Sequence, residues 1–302
     1  MVHKKTTPPR KFKKGADDIA VSVISYSVCG LFAFICFVPF LLVIIYSFTP
    51  YELYLKNHFD FFPDRYTLDA YKMVLKYQYV WSGYRNTLFI AVTGTLLSMM
   101  ALVVTAYPLT KKDLKGQKLI MTLWIVTMFF SGGMFPDFFL IRSLNLLNSL
   151  WSLILPGLLG CYNIILMRNY MEGLPTSLEE AALIDGANDI QVMVRIVLPL
   201  CLPILATLGL FTIVGYWNSY FGAIMYIQKR PLWPLQLVLR ELVFESGAQE
   251  LQQQSMAVEE RVSAPFLLKM ASIVVATVPI MLVYPFIQKY FMTGLVLGGV
   301  KE

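Results

Sequence analysis

The sequence is poor in charged residues and in the side chains that most often perform catalysis. Only 15% of its 302 residues are charged, against about 25% in a typical soluble domain, and 57% are hydrophobic. Its two histidines, His3 and His58, both lie outside the apolar runs. This composition argues against an ordinary water-soluble enzyme, against histidine-based catalysis and against metal sites built from several histidines.

Cysteine pairs and nucleotide-binding motifs are also missing. The four cysteines lie inside apolar segments without CxxC spacing, so they predict small buried apolar side chains and not disulfides or zinc ligands. They are Cys29, Cys36, Cys161 and Cys201. The printed sequence contains no GxxxxGK[ST] motif, so the chain has no P-loop. If ATP drives its activity, another polypeptide must bind the nucleotide.

What the sequence has instead is a set of long uncharged stretches. A helix needs about 20 apolar residues to cross a bilayer, and six candidates occur: Ile19–Phe48, Asn86–Thr110, Leu119–Pro136, Ser143–Met167, Ile196–Gln228 and Met270–Gln288. The first exceeds the apolar region of a signal peptide, about 7–15 residues, so it predicts a span. The run Ser131-Gly132-Gly133 weakens the third stretch. The fifth is too long for one straight span and has four positions where it could bend: Pro199, Pro203, Gly209 and Gly215.

Lysine and arginine in the flanks set the orientation. With the N-terminus inside, the cytoplasmic segments carry more basic than acidic residues, whereas the outer segments are balanced. We therefore expect six transmembrane helices with both termini in the cytoplasm. The predicted parts are a basic cytoplasmic tail (1–18), a first transmembrane helix (19–48), an extracellular loop (49–85), a core of five transmembrane helices (86–290) and a cytoplasmic C-terminal tail (291–302). The net charge of +6 fits a membrane surface and not nucleic acid, because no basic patch alternates with aromatic residues.

One long cytoplasmic connection, residues 168–198, joins the fourth and fifth spans. Ser177 and Glu180 have the spacing of a capping box, which predicts a short helix that begins just after Ser177. Gly186 would end this helix in a left-handed conformation. About two and a half turns are marginal alone, so the helix should pack against another surface. The adjacent small residues Ala181 and Ala182 would let that surface approach the backbone.

A second helix is predicted over Asp189–Leu198, with Asn188 as its N-cap and Pro199 as its stop. From the pattern alone, two interpretations of the connection stay open. It is either a connector lying on the inner leaflet or a docking element for another protein.

The residue order of this connection is more specific than its helix pattern. Glu180-Ala181-Ala182, then Asp185-Gly186-Ala187, then Ile196-Val197-Leu198-Pro199 resembles the EAA motif of binding-protein-dependent ABC transporter permeases. In that family this loop is the coupling helix, which sits in a groove of the cytoplasmic ATPase. The resemblance implies that the ATPase-coupling residues here are Ser177, Glu180, Ala181, Ala182, Asp185, Gly186 and Pro199.

Further segments extend the resemblance over about residues 86–302. Asn86-Thr87, Tyr216-Trp217-Asn218 and the tail from Lys289 to Lys301 are similar to sugar permeases of the maltose-permease (MalG) type. Ser131-Gly132-Gly133 and Trp151 with Leu155-Pro156-Gly157 resemble the complex-oligosaccharide branch of Gram-positive bacteria. The implied fold is an all-α, polytopic membrane protein with the fold of a type I ABC importer permease (MetI-like).

The resemblance also implies a function and a set of partners. The chain would be one membrane-spanning half of an ABC importer for an oligosaccharide, in the cell membrane of a Gram-positive bacterium. A lipid-anchored or soluble extracellular binding protein would deliver the sugar, and a second, homologous permease would complete the path. Two ATP-binding subunits would hold ATP and Mg²⁺. This chain itself would have no catalytic residue, no metal site and no bound cofactor.

Candidate substrate-path residues follow the bendable part of the fifth span. Tyr216, Trp217, Asn218 and Tyr220 combine aromatic faces, which stack on the C–H faces of sugars, with groups that bond hydroxyls. This chemistry suits a neutral or uronate oligosaccharide. An interfacial aromatic belt explains the aromatics equally well. Asn163, in the middle of the fourth span, is a further candidate, although interhelical hydrogen bonding would also explain it.

Two other functions are weighed against this one. The chain could be a permease for another solute, such as an amino acid or a phosphonate, or a structural membrane subunit of a signalling complex. A proton- or ion-driven carrier is disfavoured, because such carriers keep ionisable groups deep in the membrane. Here Asp137, Arg142 and Lys269 lie near the ends of predicted spans.

Overall fold

The computed structural model describes residues 16–56, 61–253, 267–282 and 285 of the 302. Every regular element in these ranges is a helix, so the predicted all-α fold is confirmed. The helices are α1 (Ala16–Ser47), α2 (Tyr51–Lys56), α3 (Asp69–Lys76), α4 (Val80–Ala106), α5 (Gln117–Phe129), α6 (Met134–Ser143), α7 (Trp151–Ile154), α8 (Cys161–Glu172), α9 (Thr176–Ile184), α10 (Asp189–Leu200), α11 (Leu202–Trp217), α12 (Phe221–Tyr226), α13 (Leu235–Gln253) and α14 (Leu267–Leu282). Within the same ranges, 3₁₀ turns lie at Pro108–Thr110, Leu155–Gly157 and Arg230–Leu232.

Helix α1 presents an apolar surface along most of its length. From Ala20 to Phe37 nearly all of its side chains are exposed, and none of them is charged. The helix is anchored near its C-terminal end, where Ser47 and Tyr71 share a hydrogen bond of 2.6 Å between their hydroxyl oxygens. An uncharged, exposed helix of this length suits the hydrocarbon of a bilayer.

Helices α4 and α11 pack along each other at the centre of the chain. Gly94 makes their close approach possible, because a Cβ atom there would lie 2.7 Å from a ring carbon of Tyr216. Small residues at such crossings are typical of membrane helix pairs. Three buried clusters succeed one another along α4, around Val80, around Ile90 and around Leu102. Helix α4 is therefore the axis on which the other helices are arranged.

Three of the predicted spans are bent helix pairs. Helices α5 and α6 meet at 117°, the Trp151–Gly157 segment meets α8 at 50°, and α10 meets α11 at 77°. The first break lies at the predicted Ser131-Gly132-Gly133 run, where Gly133 has a φ of +87° that a residue with a Cβ rarely adopts. By length and composition, Ala20–Ser47 and Val80–Thr110 can each cross a membrane alone, and the bent pairs raise the number to as many as five. The shorter apolar helix α14 covers part of the sixth predicted span, so the six-span count stays a prediction.

Several boundaries and burials differ from expectation. Helix α4 begins at Val80, six residues before Asn86, because Val80 itself is buried against α13 and α14. The third predicted span is interrupted after Phe129 rather than running to Pro136. Cys161 and Cys201 are buried as expected, whereas Cys29 and Cys36 are exposed on α1. The first helix begins at Ala16, inside the predicted tail, and residues 1–15, 254–266 and the C-terminal tail lie outside the described residues.

Candidate functional site

A short helix lies where the sequence predicts a coupling helix, but its N-terminus differs from the prediction. Helix α9 begins at Thr176 after Pro175, and no side chain caps it. The expected capping box of Ser177 and Glu180 is therefore wrong. Pro175, whose ring fixes φ, sits at the N-cap in an extended conformation, so Ser177 falls inside the first turn. Glu180 is exposed and makes no cap bond.

The C-terminus of α9 has the predicted geometry. Gly186 adopts a φ of +87°. The Gly186 N–H donates to the Leu183 carbonyl at 3.1 Å, and the Ala187 N–H donates to the Ala182 carbonyl at 3.0 Å. These two bonds form a Schellman motif, which favours glycine at the left-handed position. The chain therefore turns sharply at Gly186 and enters α10.

Helix α10 has the predicted N-cap, Asn188, but it ends later than predicted. Asn188 Oδ1 accepts from the Gln191 N–H at 2.9 Å, and the Gln191 side chain accepts from the Asn188 N–H at 3.0 Å, which is a capping box. The helix does not stop at Pro199 but runs to Leu200. A π-helical turn over Met193–Val197 precedes the proline. This wider turn provides room for the proline ring, which a regular α-helix would crowd against the carbonyl four residues earlier.

The exposed face of α9 is mixed in character. Glu180 and Ala181 are exposed, together with Leu183 and Ile184, of which Ile184 is 86% exposed. Ala182 differs from its neighbour, because it is half-buried and packs against the cluster around Leu102. The two alanines thus face different surfaces. Ala181 is open to a partner, whereas Ala182 holds α9 close to its own chain.

A charged contact joins α9 to the end of α4. Lys111, which follows the 3₁₀ turn after α4, forms an ion pair with Glu179 and lies 4.5 Å from the centre of the Tyr107 ring. Burial opposes the charge on Lys111, but its ion pair with Glu179 and its proximity to Tyr107 outweigh burial and raise its pKa. Sequence reasoning used Lys111 only to orient the chain. Its partner lies 68 positions away, so no local pattern could reveal the pair.

A second contact fixes the same corner. Arg168 Nε donates to the Leu109 carbonyl at 2.8 Å, and its guanidinium pairs with Glu172 on the next turn of α8. The last turn of span two, the end of span four and α9 are therefore tied together at the predicted cytoplasmic face.

Two of the predicted substrate-path residues share a cavity. A cavity of about 370 Å³ lies between α8 and α11, and it is lined by Leu153, Gly157, Asn163, Phe211, Thr212, Gly215, Tyr216 and Ser219. The structure brings Asn163 and Tyr216 together there. Sequence reasoning missed Thr212 and Ser219, although their spacing from Tyr216 is that of one helix face. The Tyr216 side chain is buried and held in place. Its hydroxyl donates to the Ile154 carbonyl at 3.1 Å and contacts Ser98 Oγ at 3.2 Å.

The other predicted residues lie elsewhere. Trp217 faces a separate, apolar cavity of about 560 Å³, and its indole N–H donates to the Ala276 carbonyl at 3.1 Å. Asn218 ends α11 and accepts a weak bond from Gln236 at 3.4 Å. Tyr220 is 40% exposed on the same side of the chain. Their roles in substrate binding stay predictions, and none of the three is among the residues that line the cavity around Asn163. Among the residues that the structure describes, no group of three His, Cys, Asp or Glu could hold a metal ion.

The Asn86-Thr87 pair binds the backbone of the segment that leads into α13. Asn86 Nδ2 donates to the carbonyls of Pro231 and Trp233 at 2.9 and 3.1 Å, and Thr87 Oγ1 accepts from the Leu235 N–H at 2.8 Å. Both side chains are buried. They fix the segment that leads into α13 and supply a partner for the first N–H of that helix.

Bent apolar helices beside an open cavity that carries amide and hydroxyl groups, with a short exposed helix between two spans, are typical of a membrane transport protein. Residues 18–295 match the family of binding-protein-dependent transport system inner membrane components, and the chain belongs to this family. The predicted class, a permease subunit, is confirmed, as is the fold of an ABC importer permease.

Individual relatives agree with this assignment. The chain is 41% identical over 279 residues to the polygalacturonan/rhamnogalacturonan transport system permease protein YtcP of Bacillus subtilis, covering 92% of this chain and 97% of that protein. It is 41% identical to the protein LplC of the same organism, covering 88% and 90%. A crystal structure of a bacterial ABC transporter that imports the acidic polysaccharide alginate contains a chain that matches with a TM-score of 0.80, 30% identity and coverage of 94% and 100%.

Proposed function

We propose that this chain is one membrane-spanning subunit of an ATP-driven importer that takes up an oligosaccharide delivered by an extracellular binding protein. The observation that supports it most is the cavity lined by Asn163, Thr212 and Ser219. It belongs to a chain whose relatives are named for the transport of polygalacturonan, rhamnogalacturonan and alginate. The Bacillus relatives also favour a Gram-positive cell membrane as its location.

The lining of this cavity fits sugar chemistry. Hydroxyl and amide groups offer both donors and acceptors, which sugar hydroxyls require. The aromatic rings of Phe211 and Tyr216 stand at the same cavity. No charged side chain is among the residues that line it. A neutral hydroxylated segment of a substrate could therefore pass without leaving a charge unpaired.

Coupling to ATP would occur through α9. Its exposed Glu180, Ala181 and Ile184 offer a charge, a flat stretch of backbone and an apolar contact to an ATPase groove. Two ATP-binding subunits would hold ATP and Mg²⁺ and perform the hydrolysis. A second permease would supply the other half of the path, and the binding protein would dock on the outer loops.

The test is uptake by the complete importer in proteoliposomes, with both permeases, the ATPase and the binding protein. We expect ATP-dependent uptake of oligosaccharides from a panel that also contains amino acids and phosphonates. Uptake of an amino acid or phosphonate alone would assign another solute. Normal assembly with no uptake of any panel member would favour a structural subunit of a signalling complex and contradict the proposal.

A further inference from the structure

An arginine on α13 is held over two aromatic rings at the predicted outer face. The Arg240 guanidinium carbon lies 5.0 Å from the ring centre of Tyr220 and 5.2 Å from that of Phe244. Arg240 and both rings are exposed. Among the side chains that the structure describes, Arg240 forms no ion pair. The two rings orient the guanidinium, while its N–H groups keep their capacity for an anion.

A second arginine nearby provides the contrast. Arg230 also lies over an aromatic ring, 5.7 Å from Trp233, but it forms an ion pair with Glu241 at 2.7 Å. Its charge is therefore already balanced within the chain. Of these two cations in the segment between α12 and α14, Arg240 is the one without a carboxylate among its described contacts.

The neighbours of Arg240 have the chemistry of a saccharide site. Tyr220 precedes α12, and its side chain is partly exposed to solvent. Asn218 and Gln236 lie beside it, joined by their amide groups, and each amide keeps further donors or acceptors. A guanidinium binds a carboxylate through two parallel hydrogen bonds. An aromatic face, two amides and a guanidinium thus match a sugar that carries a carboxylate.

We propose that Arg240, Tyr220, Asn218 and Gln236 form a subsite for a uronate residue at the outer mouth of the permease, in which Arg240 binds the sugar carboxylate. This proposal rests on the proposed function and deepens it, because it specifies acidic oligosaccharides as the substrate class. The acidic and pectic substrates named for relatives agree with it.

The experiment compares uptake of trigalacturonate and of neutral galactotriose by the complete importer in proteoliposomes. Arg240→Gln removes the charge, and Arg240→Lys keeps the charge without the two-pronged geometry. Arg230→Gln is the matched control, because it removes a neighbouring arginine that is already paired. We expect Arg240→Gln to lower kcat/KM for trigalacturonate about tenfold or more, which is the size of a lost charge-assisted hydrogen bond. Arg240→Lys should retain part of the activity.

Galactotriose uptake should change by less than about twofold in Arg240→Gln, and Arg230→Gln should leave the preference for the acidic sugar intact. Raising the ionic strength should weaken trigalacturonate uptake by the wild type more than by Arg240→Gln, since the site is exposed. Equal loss for both sugars in Arg240→Gln, or an equal loss of preference in Arg230→Gln, would overturn the subsite. Wild-type uptake of galactotriose but not of trigalacturonate would overturn the subsite and leave the proposed function standing. Absence of ATP-dependent uptake of any oligosaccharide would overturn the proposed function itself.

Discussion

The two ends of α4 are fastened by different kinds of contact. At the predicted outer end, the buried Asn86 and Thr87 bond three backbone groups of the segment 231–235. At the inner end, the half-exposed Lys111 pairs with Glu179 of α9. Removing a buried partner costs about 1–3 kcal/mol for each group left unpaired, whereas a partly exposed ion pair contributes about 0–1 kcal/mol.

We call the outer contact of Asn86 and Thr87 the fixed joint and the inner contact of Lys111 with Glu179 the releasable joint. The outer contact consists of neutral hydrogen bonds away from water, so salt and small motions affect it little. The inner contact can open at a small free-energy cost, which suits a segment that has to move with a partner. Five predictions test this contrast, in order of decreasing effect.

The largest effect should follow from Asn86→Ala. This change removes the buried Asn86 amide and leaves the carbonyls of Pro231 and Trp233 without their donor, so we expect a loss of about 2 kcal/mol or more in the free energy of unfolding. Thermal unfolding of the purified chain in detergent measures it. Asn169→Ala, at an exposed asparagine of α8, is the control and should change little. Equal stability of the two variants would refute a fixed outer joint.

The second-largest effect should follow from Gly186→Val, which changes the turn after α9, the helix that carries Glu179 of the releasable joint. A branched side chain is strained at a φ of +87°, so the turn between α9 and α10 should be misdirected. We expect normal amounts in the membrane but loss of the ATPase on co-purification, or ATP hydrolysis without uptake. Ala182→Trp should have the same outcome, because a bulky ring would push α9 away from the cluster around Leu102. Glu180→Lys should also have it, because it reverses an exposed charge. Wild-type uptake by all three variants would mean that this segment is a surface connector.

The cavity lined by Asn163, Thr212 and Ser219 lies between the two ends of α4, and Asn163→Ala tests its role. Loss of one hydrogen bond to a sugar hydroxyl should raise KM about two- to tenfold without changing stability. Trp217→Phe is the comparison, because it removes the bond to the Ala276 carbonyl on the other side of α11. We expect that variant to lose stability at unchanged KM. A reversed pattern would place the sugar in the apolar cavity instead.

A smaller effect is expected for the inner ion pair. Lys111→Glu should reduce the amount of sugar imported per ATP hydrolysed, and combining it with Glu179→Lys should restore part of the loss. Because its folded-state pKa is raised, the contribution of Lys111 is complete below its ordinary pKa of 10.5 and is lost only as the pH rises through the higher value. The effect of the variant should therefore be constant between pH 6 and 8. Failure of the reversed pair to recover any coupling would show that charge is not what joins α4 to α9.

The smallest effect should be that of Ser177→Ala. Its side chain makes no cap bond, so stability should stay within about 0.5 kcal/mol and uptake should be normal. Asn188→Ala serves as the comparison, since it removes an observed capping box and should cost about 1 kcal/mol. A larger loss in Ser177→Ala than in Asn188→Ala would restore the original interpretation of α9.

The two caps also show what the sequence can predict here. Both Ser177 and Asn188 stand three residues before a Glu or Gln, yet only Asn188 caps a helix. The difference is Pro175, whose fixed φ places the helix start one residue before Ser177. Gly186 and the break at Gly133 were predictable, because each demands a conformation that is local to one residue.

The arrangement of the candidate site was harder to predict from the sequence. Tyr216 and Trp217 are adjacent in sequence, but successive residues on a helix point about 100° apart, so they face two different cavities. Thr212 and Ser219 share the face of Tyr216 and could have been found by that spacing. The pair Lys111–Glu179 and the stacking of Arg240 on Tyr220 join distant segments, and only the packing of the whole chain determines them.

The 77° corner between α10 and α11 makes the two helices the arms of a bent lever. At 1.5 Å per residue, the α10 arm is about 18 Å long and the α11 arm about 24 Å. If the corner keeps its angle, a displacement of about 3 Å at the Asp189 end turns the lever by about 10° and carries the far end of α11 through about 4 Å. Ser219, just beyond that end, would move by at least as much. A displacement at the cytoplasmic end of α10 would thus become slightly larger at the cavity around Asn163.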